Sequence, residues 1–249
     1  MKILIDTNIF LDFYRTNSHP VNIFNSLKEN INSIILTDQI IQEFERSREN
    51  VLTNVKQRFQ LESKLEDFSS SYLQNLDEFH ELVEIQKKYK GKQKEILNKI
   101  NEIILNPSLD PIATYFKEFV DEAINQKMVF YTSDEIIHRA DKRKKIGNPP
   151  VSNKYSIGDE INWEIILENV NDDLIIVGRD NTFTNNLNFL QKDFHRKNGK
   201  IIYSLTDSIA KALELAGINT SNDLKEEESK ALEQLKHFNQ YWKHNSKEE

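Results

Sequence analysis

Two short, unbroken apolar runs that each lead into a carboxylate constrain this chain more than any other feature. Ile3-Leu4-Ile5 runs into Asp6, and Leu174-Ile-Ile-Val177 is followed by Gly178, Arg179 and Asp180. A short apolar run bounded by polar residues reads as a strand buried on both faces, the kind found in parallel sheets covered by helices. In an open α/β sheet the carboxyl ends of the strands form the crevice where chemistry is placed. Two further acids have comparable settings: Glu43, shortly after Ile34-Ile-Leu36, and Asp159, in Ser156-Ile-Gly-Asp-Glu-Ile-Asn-Trp163. Four carboxylates converging on one crevice would repel one another unless a divalent cation lay between them.

Composition narrows the alternatives. The chain has 249 residues, enough to bury a sizeable core. It has no cysteine, which removes disulfides, thiolate zinc sites and a cysteine nucleophile. A mean hydropathy of −0.63 and the lack of a long apolar segment argue against a membrane span. The first residues carry too short an apolar run for a signal peptide, so a cytoplasmic protein is expected. No His-Glu-x-x-His segment, phosphate-binding glycine loop or Gly-x-Ser-x-Gly elbow is present. The net charge of −7 is unusual for a nucleic-acid binder, but charge is clustered. His138 to Lys145, with Arg139, Lys142 and Arg143, and Lys87 to Lys94 are basic stretches. Each is open to two readings: a track for a phosphate backbone, or solvated helix ends with favourable C-terminal cations.

The periodicities predict an α/β fold. Strands are expected at Lys2–Ile5, Ile34–Leu36, Met128–Tyr131, Leu174–Val177 and Lys200–Tyr203. Helices are expected at Asn8–Tyr14, from Gln39 onward with Thr37 or Asp38 as cap, at Ser133–Lys145, Asp159–Leu167, Asp207–Ala216 and Asn222–His244. The middle, from about residue 50 to 128, has no strand signal and reads as a helical hairpin or small bundle. Its apolar sets are Leu73 to Val83, Ile96 to Ile104 after a break at Gly91, and Ile112 to Val120. The division expected is therefore a domain over 1–221 carrying that insertion, followed by a charged, aromatic helix over 222–249.

Leu4-Ile-Asp6-Thr-Asn8, Glu43-Phe44, Gly158-Asp159 with Trp163, and Ile175-Ile-Val-Gly-Arg-Asp180 resemble the acidic motifs of PIN-domain nucleases, in the family's order. Asn148-Pro-Pro followed by Gly158-Asp159 and Trp163 is similar to a bacterial PIN-like subfamily with a large helical insertion. The likeness covers roughly 1–48 and 128–216. It implies a Rossmann-like core with a central parallel sheet flanked by helices. It also implies a metal-dependent endonuclease acting on phosphodiester bonds, with single-stranded RNA the first choice of substrate and toxin or defence roles common in the family. Asp6, Glu43, Asp159 and Asp180 would hold one or two Mg²⁺ or Mn²⁺ ions, and Asn8 would steady Asp6 or the attacking water. The family often has Thr or Ser where this chain has Gly178, which shifts the burden to Asn181 or Thr182.

Other acids and cations have secondary readings. Glu164 is a candidate for supporting the ligands, whereas Glu160, about 100° further round the helix than Asp159, faces elsewhere. Asp38 reads as a cap, Asp12 as a solvated helix residue, and Asp134 and Glu135 as charges compensating a helix dipole. Arg179 would touch substrate phosphate or pair with an acid. The insertion, with its lysines near a hairpin tip, would select substrate, or bind a second copy or an inhibiting or activating protein. Two rival classes remain: a PIN-like scaffold that binds RNA or protein without cutting, and a flap- or DNA-directed nuclease. A phosphatase would want Asp-x-Asp where the chain has Asp6-Thr7-Asn8. Phe238, Tyr241 and Trp242 would form one patch on the last helix, for docking to its own domain or to a partner.

Overall fold

In a computed structural model the chain is described over residues 1–16, 20–61, 76–150, 156–179 and 181–245, with the backbone alone at 61, 181 and 236–245. It divides into two compact units, one comprising Met1–Ser47 with Tyr115–Glu249 and the other Arg48–Thr114.

The first unit is built on five parallel strands: β1 (Lys2–Ile5), β2 (Ile34–Thr37), β3 (Val129–Phe130), β4 (Leu174–Val177) and β5 (Ile202–Thr206), in spatial order β3-β2-β1-β4-β5. Ile3 to Ile5 and Leu174 to Val177 are at most 1% exposed, as continuous apolar strands covered on both faces should be. From β1 the chain winds outward through β2 to β3, then returns to place β4 on the other side of β1. The winding therefore reverses at the β1/β4 pair, and a crevice opens at the carboxyl ends of those two strands. Asp6 directly follows β1, and its amide donates to the Val177 carbonyl at 2.9 Å, extending the ladder by one step.

The helices follow from local signals. α1 (Thr7–Leu11) runs into a 3-10 turn at Asp12–Tyr14. α2 (Pro20–Glu29) begins on a proline, which has no amide hydrogen to leave unpaired, and buries Ile23, Phe24 and Leu27. α3 (Asp38–Leu61) is capped by Thr37, whose hydroxyl accepts from the Ile40 amide at 3.1 Å. α5 (Pro111–Asn125) contributes Phe116 and Phe119 to a cluster with Phe10, Phe24 and Phe44; the Phe44 and Phe116 rings stack at 3.9 Å. Each such fully buried ring is worth about 1.5–3 kcal/mol in area removed from water.

α6 (Asp134–Lys145) starts at Ser133, which accepts from the Ile136 amide, and packs on α7 (Gly158–Asn169). α8 (Asn181–Thr184) and α9 (Leu187–Asn198) follow β4, and Gly199 ends α9 at φ 66°, a left-handed turn that glycine adopts freely. α10 (Ile209–Leu215) packs on β1, β4 and β5. The start of α10 is held by Glu228 of α11 (Asn222–Asn245): the carboxylate accepts from the Ser208 hydroxyl (2.5 Å) and the Ile209 (2.5 Å) and Ala210 (2.9 Å) amides. The first half of α11, with Leu224, Ala231 and Leu235 buried, therefore docks on its own unit. The side chains of Phe238, Tyr241 and Trp242 lie outside the described residues.

The second unit contains the rest of α3, α4 (Asp77–Leu105) and the first residues of α5. The buried Arg48 and Asp110 side chains tie it together at 2.6 Å, and Arg48 also donates to the Ile103 carbonyl. The expected break at Gly91 is absent: α4 runs through it, since one exposed glycine costs a helix only about 1 kcal/mol. Lys87 to Lys94 therefore sit in the middle of a long helix and not at a hairpin tip; Leu73 lies outside the described residues. Two other expectations shift. β5 begins at Ile202 and continues to Thr206, beyond Tyr203, because the ladder follows β4 past an irregularity at Leu174/Ile175. α10 begins at Ile209, since Ser208 serves as its cap.

Candidate active site at the carboxyl ends of the strands

Asp6 is half-buried at the end of β1, and the Asn8 amide donates to its Oδ2 at 3.2 Å. Asn8 is the second residue of α1, so the Asp-Thr-Asn triplet is a strand end and helix start whose polar side chains meet. Thr7, buried between them, donates its hydroxyl to Glu43 Oε2 at 3.2 Å. That bond joins the end of β1 to the second turn of α3, so Asp6 and Glu43 belong to one edge of the sheet. Among the described residues Glu43 has that hydroxyl, and no cation, as its partner.

α7, whose first turn carries Asp159, is fastened to the end of β2 and to α3. The Thr37 hydroxyl, at the end of β2, donates to Asn162 Oδ1 at 2.5 Å, and both groups are buried. Gly158 lies against Gln39 in the first turn of α3, and a Cβ added there would come within 2.7 Å of the Gln39 amide nitrogen. The start of α7 is thus clasped to the start of α3, with half-buried Asp159 between Gly158 and Asn162. Thr7, Gln39 and Asn162 were not singled out from the sequence, and Thr37 was read only as a helix cap; the signal was present in Thr7 and Thr37, hydroxyls at the strand ends beside the acids.

Asp180 lies outside the described residues. Its neighbours are placed: the Gly178 amide donates to the Thr206 carbonyl at 2.9 Å, and a Cβ on Gly178 would lie 3.7 Å from that of Asp6, an ordinary contact. The hydroxyl that the family often carries at this position would therefore sit beside Asp6. Arg179 donates to Asp12 Oδ2 at 2.5 Å and to the Asp207 carbonyl at 3.3 Å. Of its two readings, the structure realises pairing with an acid. Asp12 is correspondingly no solvated helix residue: it is 7% exposed and also accepts from Arg15 at 2.7 Å. Thr182 is half-buried in α8.

The donor set suits a hard divalent cation, with carboxylate and amide oxygens and neither thiolate nor imidazole. Among the described residues, no three acids or histidines stand close enough together to hold an ion.

The basic stretch of α6 is used inside the fold. Arg143 is buried and donates to Glu164 (2.7 Å) and the Pro149 carbonyl (2.8 Å), and pairs with Asp193 at 2.8 Å. Arg139 pairs with Glu164 at 3.0 Å and with Glu168. Lys144 donates to the Ser156 carbonyl at 2.5 Å. Arg143 and Lys144 thereby hold the two flanks of the segment between Pro149 and Ser156, a use that neither reading of the cluster anticipated. Lys142 is exposed and Lys145 pairs with Asp141. Glu164 is committed to Arg139 and Arg143 and not to the acids at the strand ends. Asp38 accepts from the Thr132 amide and hydroxyl, at 3.0 and 2.7 Å, while Thr37 does the capping. Glu160 is fully buried, its carboxylate oxygens have no hydrogen-bond donor among the described residues, and Lys144 lies 3.8 Å off. Burial raises its pKa above the ordinary glutamate value.

A family model described as PIN domain matches residues 3–183, from β1 through α8. The chain belongs to the PIN-domain family. PIN domains are generally metal-dependent nucleases, acting on nucleic acid. The match spans 3–183 and ends before α9 and β5. Comparison with curated proteins and with solved structures gave no match. In this PIN domain the described part of the acidic edge rests on hydroxyl and amide clasps from β1, β2, α3 and α7. Among the described residues no helix is long and apolar enough to cross a membrane.

Proposed function

We propose that this PIN domain is an endonuclease that hydrolyses phosphodiester bonds of single-stranded RNA. The observation that supports the reading is the Thr7–Glu43 and Thr37–Asn162 pair of clasps, which fasten α3 and α7 to the carboxyl ends of β1 and β2, on the side of the sheet where its winding reverses. Asp6, Glu43, Asp159 and Asp180 would hold one or two Mg²⁺ or Mn²⁺ ions. When bound, such an ion supplies Lewis-acid activation of water and of the scissile phosphate. Asn8 holds Asp6 Oδ2 and presents an amide at the same place, suited to orienting the attacking water. Exposed Lys142 is the member of the α6 cluster left to meet a phosphate backbone. A single strand supports this choice because it bends into a recessed acidic crevice more readily than a stiff duplex. A growth-arresting or defensive use of the activity rests on the family resemblance.

The test is incubation of wild type and Asp6→Asn with end-labelled single-stranded RNA and DNA in Mn²⁺, Mg²⁺ or EDTA. RNA cut by wild type alone, with EDTA abolishing it, is the expected result. Cleavage that survives Asp6→Asn would mean a contaminant or another site. DNA cut in preference to RNA would correct the substrate, metal binding lost in Asp6→Asn without cleavage would mean that the substrate or an activating partner is missing, and no metal binding would favour a scaffold.

A further inference from the structure

We infer that α4 is a self-association surface, pairing antiparallel with α4 of a second copy of this chain. The inference is independent of the proposed catalysis. α4 presents one flank toward α3, where Gln93 donates to the Phe59 carbonyl at 3.4 Å and Gln86, Leu97 and Ile100 are half-buried. Beside that flank runs a second row of side chains exposed among the described residues: Leu82 (58% exposed), Ile85 (62%), Tyr89 (42%) and Ile96 (44%). At 3.6 residues per turn these four side chains fall within an arc of about 60°. Their spacings of three, four and seven are those of a seam between two helices.

Charge identifies the occupant. The first part of α4 carries Asp77, Glu78, Glu81 and Glu84 and no lysine or arginine, while the stretch from Lys87 to Lys99 carries Lys87, Lys88, Lys90, Lys92, Lys94 and Lys99 against Glu95 alone. The helix dipole accounts for Asp77 and Glu78 in the first turn, but not for a lysine block that begins mid-helix and ends before the last turn. A solvated helix gains most by interspersing opposite charges at i,i+4, and here the signs are segregated. Segregated signs are self-complementary under a two-fold axis, because an isologous contact sets the acidic end of each copy against the basic end of the other. With Tyr89 on the axis, Leu82 faces the partner copy's Ile96. Glu81 and the opposing Lys99, both on the outer edge of the row, then fall within about 3 Å of one level along the helix. A parallel arrangement would set acid on acid and lysine on lysine.

The test is a charge exchange read by mass in solution. One variant carries Glu78→Lys, Glu81→Lys and Glu84→Lys; the other carries Lys92→Glu, Lys94→Glu and Lys99→Glu. All six positions are on exposed parts of α4, and circular dichroism checks that each variant folds. Wild type is expected at twice its 29.3 kDa chain mass, with association weakened at about 1 M salt, where the screening length falls to about 3 Å. Each variant alone is expected as a monomer, and their equimolar mixture as a dimer. Wild type that stays monomeric at about 100 μM, at the weak end of measurable association, would overturn the inference. So would variants that still dimerise alone, or a mixture that stays monomeric. A monomeric wild type whose lysine block binds a single-stranded oligonucleotide, with binding lost in the second variant, would overturn it in favour of a nucleic-acid surface.

Discussion

Replacing Arg143 by methionine keeps the unbranched stem of the side chain and deletes its charge from the interior, where the side chain is 10% exposed. Glu164 and Asp193, 8% and 7% exposed, each lose a partner, and the Pro149 carbonyl loses its donor. Removing one member of a buried ion pair costs about 3–5 kcal/mol because the charge left behind is desolvated. Both acids keep a second cation here, Glu164 through Arg139 and Asp193 through Arg196, and Asp193 also accepts from the Trp163 indole at 3.1 Å. The low end is therefore expected, about 3 kcal/mol, or a fall of about 6–12 °C in melting temperature for a chain of this size. Arg143→Lys should lose less, since an ammonium on a flexible stem reaches part of a three-way arrangement built for a planar fork. Urea unfolding followed by the fluorescence of Trp163, which packs on Phe183 and Phe194 beside this node, is the assay. A variant within about 1 kcal/mol of wild type, with a raised KM for nucleic acid, would refute the reasoning and return Arg143 to the substrate surface.

Other perturbations have equally definite outcomes. Glu228→Ala should destabilise the chain by about 2–3 kcal/mol in urea unfolding, because it strips a charged acceptor from three donors at the start of α10; an unchanged midpoint would deny that α11 is docked there. Glu160 has a raised folded pKa through burial, so its share of stability is present below the ordinary glutamate value and is lost as pH rises through the folded one. Glu160→Gln should therefore gain stability over wild type at neutral pH in EDTA and flatten the dependence between acid and neutral pH; parallel curves for the two proteins would sink that assignment. Thr7→Val should leave the strand intact but free Glu43, weakening Mn²⁺ affinity about tenfold or more, as loss of a bond that orients a ligand does. Equal affinity in a calorimetric titration would show that Thr7 only fills space.

Much of the core was legible because short buried strands have an unmistakable pattern. Ile3-Leu4-Ile5 and Leu174 to Val177 contain nothing but apolar residues, and their neighbours in the sheet follow from the parallel winding. The acids' order was legible for the same reason, since each lies beside a recognisable strand or helix start. α2 and α9 carry readable signals, Pro20 with Ile23, Phe24 and Leu27 in one and Leu190, Phe194 and the Gly199 stop in the other. Both are short and dilute in apolar residues, so polarity masked them. Asp12, Arg143 and Glu164 were beyond reach of the sequence: they pair with residues as far as 167, 50 and 25 positions away that only the folded chain brings near. An acid's local pattern does not reveal which cation it will meet.

The most direct measurement of the central claim is a Mn²⁺ titration of wild type and of the four single variants Asp6→Asn, Glu43→Gln, Asp159→Asn and Asp180→Asn. If these acids form one site, wild type binds one or two ions and every variant loses at least about tenfold in affinity while staying folded. A wild type that binds no Mn²⁺, or variants that bind it as tightly as wild type, would contradict the account.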